Sequence, residues 1–490
     1  MKKFTGISEQ LNQYIITGIA VIGIIGILQT FLHFGVVSGI GFALIPFISI
    51  ACIFLFKKSS WMYIIVFIVN YYISGISRYI NIPIGIVMDI LLIITIVFLL
   101  ISSGFNKVKW KQSINGLAIV SLIWLLYCIM ELFNPQVASS EAWATSIRGV
   151  ATYFFVISLL TPIIFCRFAD LKKFLMVWAI LTLTAVMKAI WQKHVGFDSA
   201  EKYWLYVLGG STTHIIYSGI RYFSFFSDAA NFGAGMGFSM VVFGITSFYT
   251  NNKRIKIFYR IVSLAAGYGL LLSGTRAALA VPFAGIGIFT LLSKNIKSIT
   301  LGLFALIGAF IFLFLTDIGQ GNQQIRRMRS AFNTEDASFQ VRMTNQAKMK
   351  TYMSDKPFGV GLGLGGGKAK RYAPDAYMSQ IATDSWFVMI WVETGIIGLI
   401  LHLVILIFII IYGTYISIFQ LKNKELKGIH NALVSGVFGM MVASYANEIF
   451  GQFPNGFIIY ACQAFIFLSL SYDNELTNQQ QNNNTHELQS

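Results

Sequence analysis

Four charged residues stand where their chemistry needs a partner. Arg276 follows Leu-Ser-Gly-Thr, 272–275, in a very short turn between two apolar runs. An arginine at a membrane boundary either snorkels to water or meets an anion, and its planar guanidinium grips phosphate oxygens in pairs. Arg221 lies in Gly-Ile-Arg-Tyr-Phe-Ser-Phe-Phe-Ser-Asp-Ala-Ala-Asn-Phe-Gly, 219–233, with Tyr203, Trp204, Tyr206, Tyr217 and Tyr222 nearby. Those rings fit an interfacial aromatic belt, as in most membrane proteins, and could also stack on sugars. Arg342 opens a stretch with helical spacing, followed by Asp-Lys-Pro-Phe-Gly-Val-Gly-Leu-Gly-Leu-Gly-Gly-Gly, 355–367. These glycines fit a flexible or anion-cradling turn, or an ordinary loop. No strand precedes them, so they are not a dinucleotide fingerprint. Asp384 heads a long apolar run, where a carboxylate can accept a hydroxyl proton or cap the helix that follows. Asp228 reads as a helix cap, and Glu393 as a cap or brace for a helix starting near Gly395.

Apolar helices must position these groups. The chain of 490 residues is 56% hydrophobic and only 11% charged, with a mean hydropathy of +0.69. A soluble domain carries roughly 25% charge, and a membrane helix needs about 20 apolar residues. A soluble enzyme, a disordered chain and a disulfide-stapled secreted domain are excluded. The apolar runs also exclude a porin-type barrel, whose strands alternate. The expected fold is an all-α polytopic membrane protein. Its spans fall near 12–32, 35–56, 61–77, 83–103, 114–132, 150–166, 173–192, 229–249, 257–273, 277–293, 298–316, 395–416, 430–449 and 455–472, about 14 in all. The first run lacks a small-residue cleavage site and reads as a retained helix.

The net charge of +16 comes with basic residues clustered between the spans, which argues for membrane orientation and against nucleic acid. Lys2/Lys3, Lys57/Lys58, Lys107/Lys109/Lys111, Arg167/Lys172/Lys173, Lys253/Arg254/Lys256, Lys294/Lys297 and Lys422/Lys424/Lys427 fall on every second side of the spans, which predicts both termini in the cytoplasm. Two external connections are long, near 193–228 and 317–394. The second holds ten Lys/Arg against six Asp/Glu between 317 and 384, and a loop of that length is usually functional. Residues 1–472 then form one integral membrane domain, with 317–394 as a large external loop and 473–490 as a disordered polar tail. The cysteines Cys52, Cys128, Cys166 and Cys462 have no metal-binding spacing and read as packing residues rather than metal ligands. Inside the spans the main ionisable groups are Asp89, Lys188, Arg260 and His402, with Glu131 and Glu448 near span ends.

Taken in order, Arg221 to Asn231, Ser-Gly-Thr-Arg at 273–276, Arg342, Asp-Lys-Pro-Phe-Gly-Val-Gly-Leu-Gly at 355–363 and Trp-Val-Glu-Thr-Gly-Ile-Ile-Gly at 391–398 resemble the bacterial O-antigen ligase and polymerase superfamily, which includes protein O-oligosaccharyltransferases. The resemblance covers roughly 215–410. It implies a GT-C-like enzyme of the inner membrane that moves a glycan from undecaprenyl diphosphate to an acceptor at the periplasmic face, without a metal. It also implies that Arg276 and Arg342, with Arg221, hold the diphosphate. One departure stands out. Ligases usually carry His-Asn about nine residues before the Glu of the Glu-x-Gly motif, and here Asp384-Ser385 takes that place. Aspartate is a weaker base than imidazole. The departure favours a polymerase that extends lipid-linked repeats over a ligase that delivers finished glycan to lipid A core or protein. A flippase is a third reading, but it calls for polar residues at mid-membrane and an internal repeat.

Overall fold

The computed structural model describes residues 59–80, 83–105, 108–216, 219–293, 296–329 and 337–487. The chain divides into two compact units, Met1–Met62 with Val97–Asn106, and Tyr63–Ile96 with Lys107–Ser490. The described part of the first is the start of α1 (Ser59–Ile76) and the end of α2 (Ile84–Phe105). The second unit holds every residue of the candidate site.

In that unit the helices continue as α3 (Gly116–Met130), α4 (Ser140–Ile164, with a π turn at Arg148–Thr152), α5 (Phe168–His194) and α6 (Ser199–Tyr206). A small hairpin, β1 (Ile215–Ile216) with β2 (Gly219–Ile220), precedes α7 (Ala229–Tyr249). Next come α8 (Lys253–Ser273), α9 (Ala280–Leu292), α10 (Ile296–Phe310), α11 (Gln323–Arg329) and α12 (Ala337–Tyr352). The last three are α13 (Trp386–Tyr415), α14 (Lys424–Ala443) and α15 (Asn455–Glu487). Among the described residues nine helices are long and apolar enough to cross a membrane, and three shorter apolar helices accompany them. The protein is therefore an all-α membrane protein. Every expected span from 61–77 onward overlaps one of these helices, whereas those expected at 12–32 and 35–56 lie outside the described residues.

The helices start where short polar side chains cap them. Asn115, Asp228, Asn252, Ser385 and Asn423 each accept backbone amides from the turn they begin. Helix α7 is the hub, packed against α8, α9 and α14. On α8, Tyr259, Val262, Ala266 and Leu270 are buried, while Ile257, Ile261, Leu264 and Tyr268 are exposed at helical spacing. A helix apolar on both faces suits protein on one side and lipid on the other.

Most ionisable groups within the spans are met by partners. Asp89 accepts from Arg148 at 2.8 Å and Tyr153 at 2.7 Å. Lys188 reaches Asp198 and Glu201 at 3.0 Å each. His402 accepts from the Trp386 indole at 3.0 Å. Arg260 differs: its guanidinium lies 5.8 Å over the Phe248 ring and has no carboxylate partner among the described residues.

Three boundaries depart from the sequence expectations. Helix α13 begins at Trp386 instead of near 395, so the apolar end of the long loop is the first part of a kinked span. Helix α14 occupies Lys424–Ala443 instead of 430–449, because Asn423 caps its start, and this leaves Glu448 in a loop. The tail expected to be disordered continues α15 to Glu487. Beyond the apolar part of α15, Asp473 accepts the amides of Lys422 and Asn423 at 3.2 and 2.9 Å, and Glu475 accepts that of Phe168 at 3.0 Å. These bonds anchor the polar extension that composition alone leaves unsupported.

The kink in α13 explains the glycine-rich segment. Gly395 sits at φ 69°, which breaks the helix and frees carbonyls that must find other donors. Val360 N–H donates to Val392 O at 2.9 Å, Gly361 N–H to Glu393 O at 3.0 Å, and the Tyr127 hydroxyl to Thr394 O at 2.8 Å. A Cβ on Gly395 would lie 1.9 Å from Pro357 O, and one on Gly359 would lie 2.6 Å from the Glu393 backbone. The glycines at 359 and 395 thus let two backbones touch. Around them Met349, Met353, Val360, Leu364, Met378, Ile381 and Val392 form a small core under the 317–394 connection. Gly395→Ala combines strain with overpacking and is expected to cost roughly 3 kcal/mol or more. A thermal-unfolding scan in detergent that leaves the midpoint unchanged would remove this role.

Candidate functional site

The turn after α8 presents Arg276. Gly274, at φ 57°, ends that helix in the left-handed conformation. The Thr275 amide then donates to Ser273 Oγ at 3.1 Å, and its hydroxyl to Ala229 O at 3.0 Å. Arg276 follows at the start of the one-turn helix Arg276–Leu279, half-buried, leading into α9.

Asp384 is held in a different way. Ser385, not Asp384, caps α13 by accepting from Val388 N–H at 3.4 Å. Asp384 itself is exposed and adopts φ 51°, a left-handed conformation that aspartate tolerates at some cost. Both sides of it are anchored. The Trp386 amide donates to Ser444 O at 3.0 Å and Asn447 O at 3.3 Å. The Thr383 hydroxyl donates to Glu448 Oε1 at 2.6 Å, and Lys368 Nζ meets Glu448 Oε2 at 2.6 Å. The carboxylate is thereby released from helix capping and turned outward.

Arg276, Arg342 and Asp384 line one cavity of about 450 Å³. Arg342 comes from α12, far along the chain from both others. The remaining wall is largely apolar, with Leu279, Phe283, Phe314, Phe339 and Met343. Two guanidiniums, one carboxylate and an apolar wall suit an amphipathic anion with a hydroxyl partner.

Arg221 lies outside this lining. Its guanidinium donates to Thr213 O at 3.0 Å and to Thr275 Oγ1 at 2.8 Å, so it braces the turn that carries Arg276. Burial lowers its pKa. The charge of Asp228 opposes that shift, while repulsion from Arg276 and Arg342 adds to it. Arg276 and Arg342 are thus both close enough to repel Arg221, an arrangement that an anionic ligand relieves. Asp228 caps α7 through the Ala230 and Asn231 amides at 2.7 and 2.8 Å. The Asn231 side chain ties that helix start to Phe453 O at 2.7 Å. Of the aromatic residues around Arg221, Tyr222 is buried and Trp204 packs against Phe223, while Tyr203 and Tyr206 remain exposed. Tyr217 lies outside the described residues.

Several positioning residues escaped the sequence reading. Arg78, just past α1, donates to Ser224 O at 3.0 Å and Ser227 O at 3.2 Å, and also to Phe226 O. Its guanidinium sits 4.5 Å over Trp204 and 4.4 Å over Phe223, and burial lowers its pKa to about 10. The available signal was a lone cation on the side that the charge pattern leaves poor in cations. Glu448, Lys368 and Thr383 carried no such signal, because their meeting depends on the loop after α14.

His214 shows how tightly this loop is built. Its Nε2 accepts the Ala229 amide at 3.1 Å, which leaves Nδ1–H to donate to Gly210 O at 2.9 Å. Burial lowers its pKa to about 4, with Gly210 O and Asp228 opposing and Arg221 and Arg78 adding. The depressed folded-state value sets the sign. The unfolded loop takes the proton first, so this stabilisation is complete above about pH 6.5 and is lost as pH falls towards 4. The loss amounts to up to about 3 kcal/mol. Amide exchange over 211–228 is expected to speed up at pH 5 relative to pH 7, and equal protection at both would rule this coupling out.

Residues 261–403 match the family described as O-antigen ligase, a stretch that includes Arg276, Arg342 and Asp384 but not Arg221. A protein of Salmonella muenchen described as "O-antigen polymerase" is 27% identical over 236 residues, which cover 47% of this chain and 56% of that protein. The match spans only about half of the relative's length. The two findings agree with the order of motifs from Ser273 to Gly398 and support the resemblance to the O-antigen ligase and polymerase superfamily.

Proposed function

We propose that the protein polymerises repeats of a surface polysaccharide, such as O-antigen, capsule or exopolysaccharide, from undecaprenyl-diphosphate-linked donors. The reading places the reaction at the periplasmic face of the bacterial inner membrane. It further assigns a GT-C-like arrangement of about 14 spans with both termini inside, in which the connection from 317 up to the start of α13 at Trp386 is the large periplasmic loop. The supporting observation is the meeting of Arg276, Arg342 and Asp384 on one cavity with an apolar wall.

In this reaction a hydroxyl oxygen of the acceptor repeat attacks the anomeric carbon of the donor glycan. The bond from that carbon to the diphosphate oxygen breaks, and its electron pair leaves with undecaprenyl diphosphate. Asp384 takes the hydroxyl proton as general base. Arg276 and Arg342 stabilise the charge that grows on the departing diphosphate, which is why no metal is invoked. Arg221 holds the Thr275 turn that aims Arg276.

A ligase that transfers finished glycan to lipid A core or to a protein is the second reading, favoured by the O-antigen ligase match. The surface-glycan ladder of a deletion strain beside its complemented strain separates the two. Single repeats left on their carrier with no ladder support polymerisation. Full-length glycan stranded on undecaprenyl diphosphate would overturn it in favour of ligation.

A further inference from the structure

A second cavity, of about 1240 Å³, opens at the other end of the same helices. It is lined by Tyr249 at the end of α7, Phe289 near the end of α9, and Lys424 and Lys427 in the first turns of α14. The catalytic cavity lies instead at the start of α9 and the end of α14. The two are therefore separate sites on one helical frame.

Its chemistry is two-sided. The wall is mostly apolar, with Phe248, Phe289 and their aliphatic neighbours, yet four cations border it: Arg260, Lys297, Lys424 and Lys427. They come from α8, α10 and α14, and no Asp or Glu is among the lining residues described. The adjacent Glu425 does not line the cavity and is held by Lys172 at 2.9 Å and by the cavity-lining Asn251 at 3.1 Å. Arg260 is the informative residue. It is the eighth residue of α8, about 10 Å along a span from its basic end, and it is exposed. A cation at that depth without an acidic partner is costly in lipid unless an anion meets it.

We propose that this cavity binds an anionic phospholipid, with its headgroup phosphate among Arg260, Lys297, Lys424 and Lys427 and its acyl chains against the apolar wall. The volume exceeds the roughly 300–1,000 Å³ of ordinary small-molecule pockets, as a two-chain ligand requires. Basic pockets between membrane helices on the cytoplasmic side suit such headgroups. The basic connections at 253–256 and 422–427, with Lys297, converge on this end. The site is independent of the transfer reaction and stands whether the enzyme polymerises or ligates.

The test uses the purified full-length protein in detergent, with retained lipid counted by native mass spectrometry. Dioleoyl phosphatidylglycerol is compared with dioleoyl phosphatidylcholine. The expected result is one tightly held phosphatidylglycerol and weaker, non-stoichiometric phosphatidylcholine. Combining Arg260→Gln, Lys297→Gln and Lys424→Gln should weaken retention roughly 100-fold, about fivefold per cation. Equal retention of the two lipids, or unchanged retention in the triple variant, overturns the proposal. Displacement of the lipid by farnesyl phosphate at equal concentration, or by millimolar inorganic phosphate alone, also overturns it, because a carrier phosphate or a free anion would then be the ligand. Should the triple variant fail to fold, exposed Arg260→Gln alone carries the same comparison at about fivefold.

Discussion

Arg276→Ala and Arg342→Ala are each expected to slow glycan transfer by about 10²–10³, the usual cost of removing one preorganised donor from developing negative charge. Both side chains face the 450 Å³ cavity, and both are half-buried, so water screens them less than it would a surface arginine. Neither substitution removes a residue from the packed core, so the protein should still insert and run as a monodisperse species. Lysine at either position keeps the charge but loses the paired donors, and recovers only part of the rate. Arg221→Ala should act differently. Its guanidinium grips Thr213 O and Thr275 Oγ1, so its loss loosens the turn that carries Arg276 and gives a smaller defect together with lower thermal stability. The measurement is transfer from a purified lipid-linked donor with product size read on a gel. Wild-type rates in both alanine variants would end the shared-diphosphate assignment.

Asp384→Asn provides the second large effect, and the backbone makes it a clean test. Position 384 is left-handed at φ 51°, a conformation that asparagine accepts as readily as aspartate. Ser385 supplies the helix cap, so the substitution removes no capping bond. Stability should therefore hold while transfer falls by about 10²–10⁴, the usual contribution of a positioned general base. Asp384→Ala should lose the same activity and also about 1 kcal/mol of stability, since alanine resists this conformation. Full activity in the asparagine variant would reduce Asp384 to a turn residue. Glu448 bears on this result, because its contacts with Thr383 and Lys368 pin the turn. Glu448→Gln should keep the Thr383 contact and retain more activity than Glu448→Ala.

Much of the membrane architecture was legible because long apolar runs and the period of the basic connections are local signals. From 61–77 onward each expected span meets a helix, and Asp228 is the cap that its position suggested. The misreadings share a cause. The starts of α13 and α14 depend on caps at Ser385 and Asn423, which hydropathy does not register. The order of α15 beyond Tyr472 depends on Asp473 and Glu475 finding the amides of distant segments. The glycine-rich stretch looked suited to a ligand because its actual partner, the kink at Gly395, lies more than thirty residues away in the chain.

The amino-acid sequence by itself determined that this is a helical membrane protein, which ends of its spans are basic, and which charged residues stand where an anion would be needed. Those properties follow from transfer free energies summed over neighbouring residues. Only the tertiary structure decided that Arg276, Arg342 and Asp384 share a cavity while Arg221 stands behind it as a brace. Only it decided that Ser385 takes the cap and leaves the Asp384 carboxylate exposed. Convergence of that kind brings the start of α9, α12 and the turn before α13 around one cavity, although they lie tens of residues apart. The energy that holds them comes from interhelical packing and from backbone carbonyls that must each find a donor.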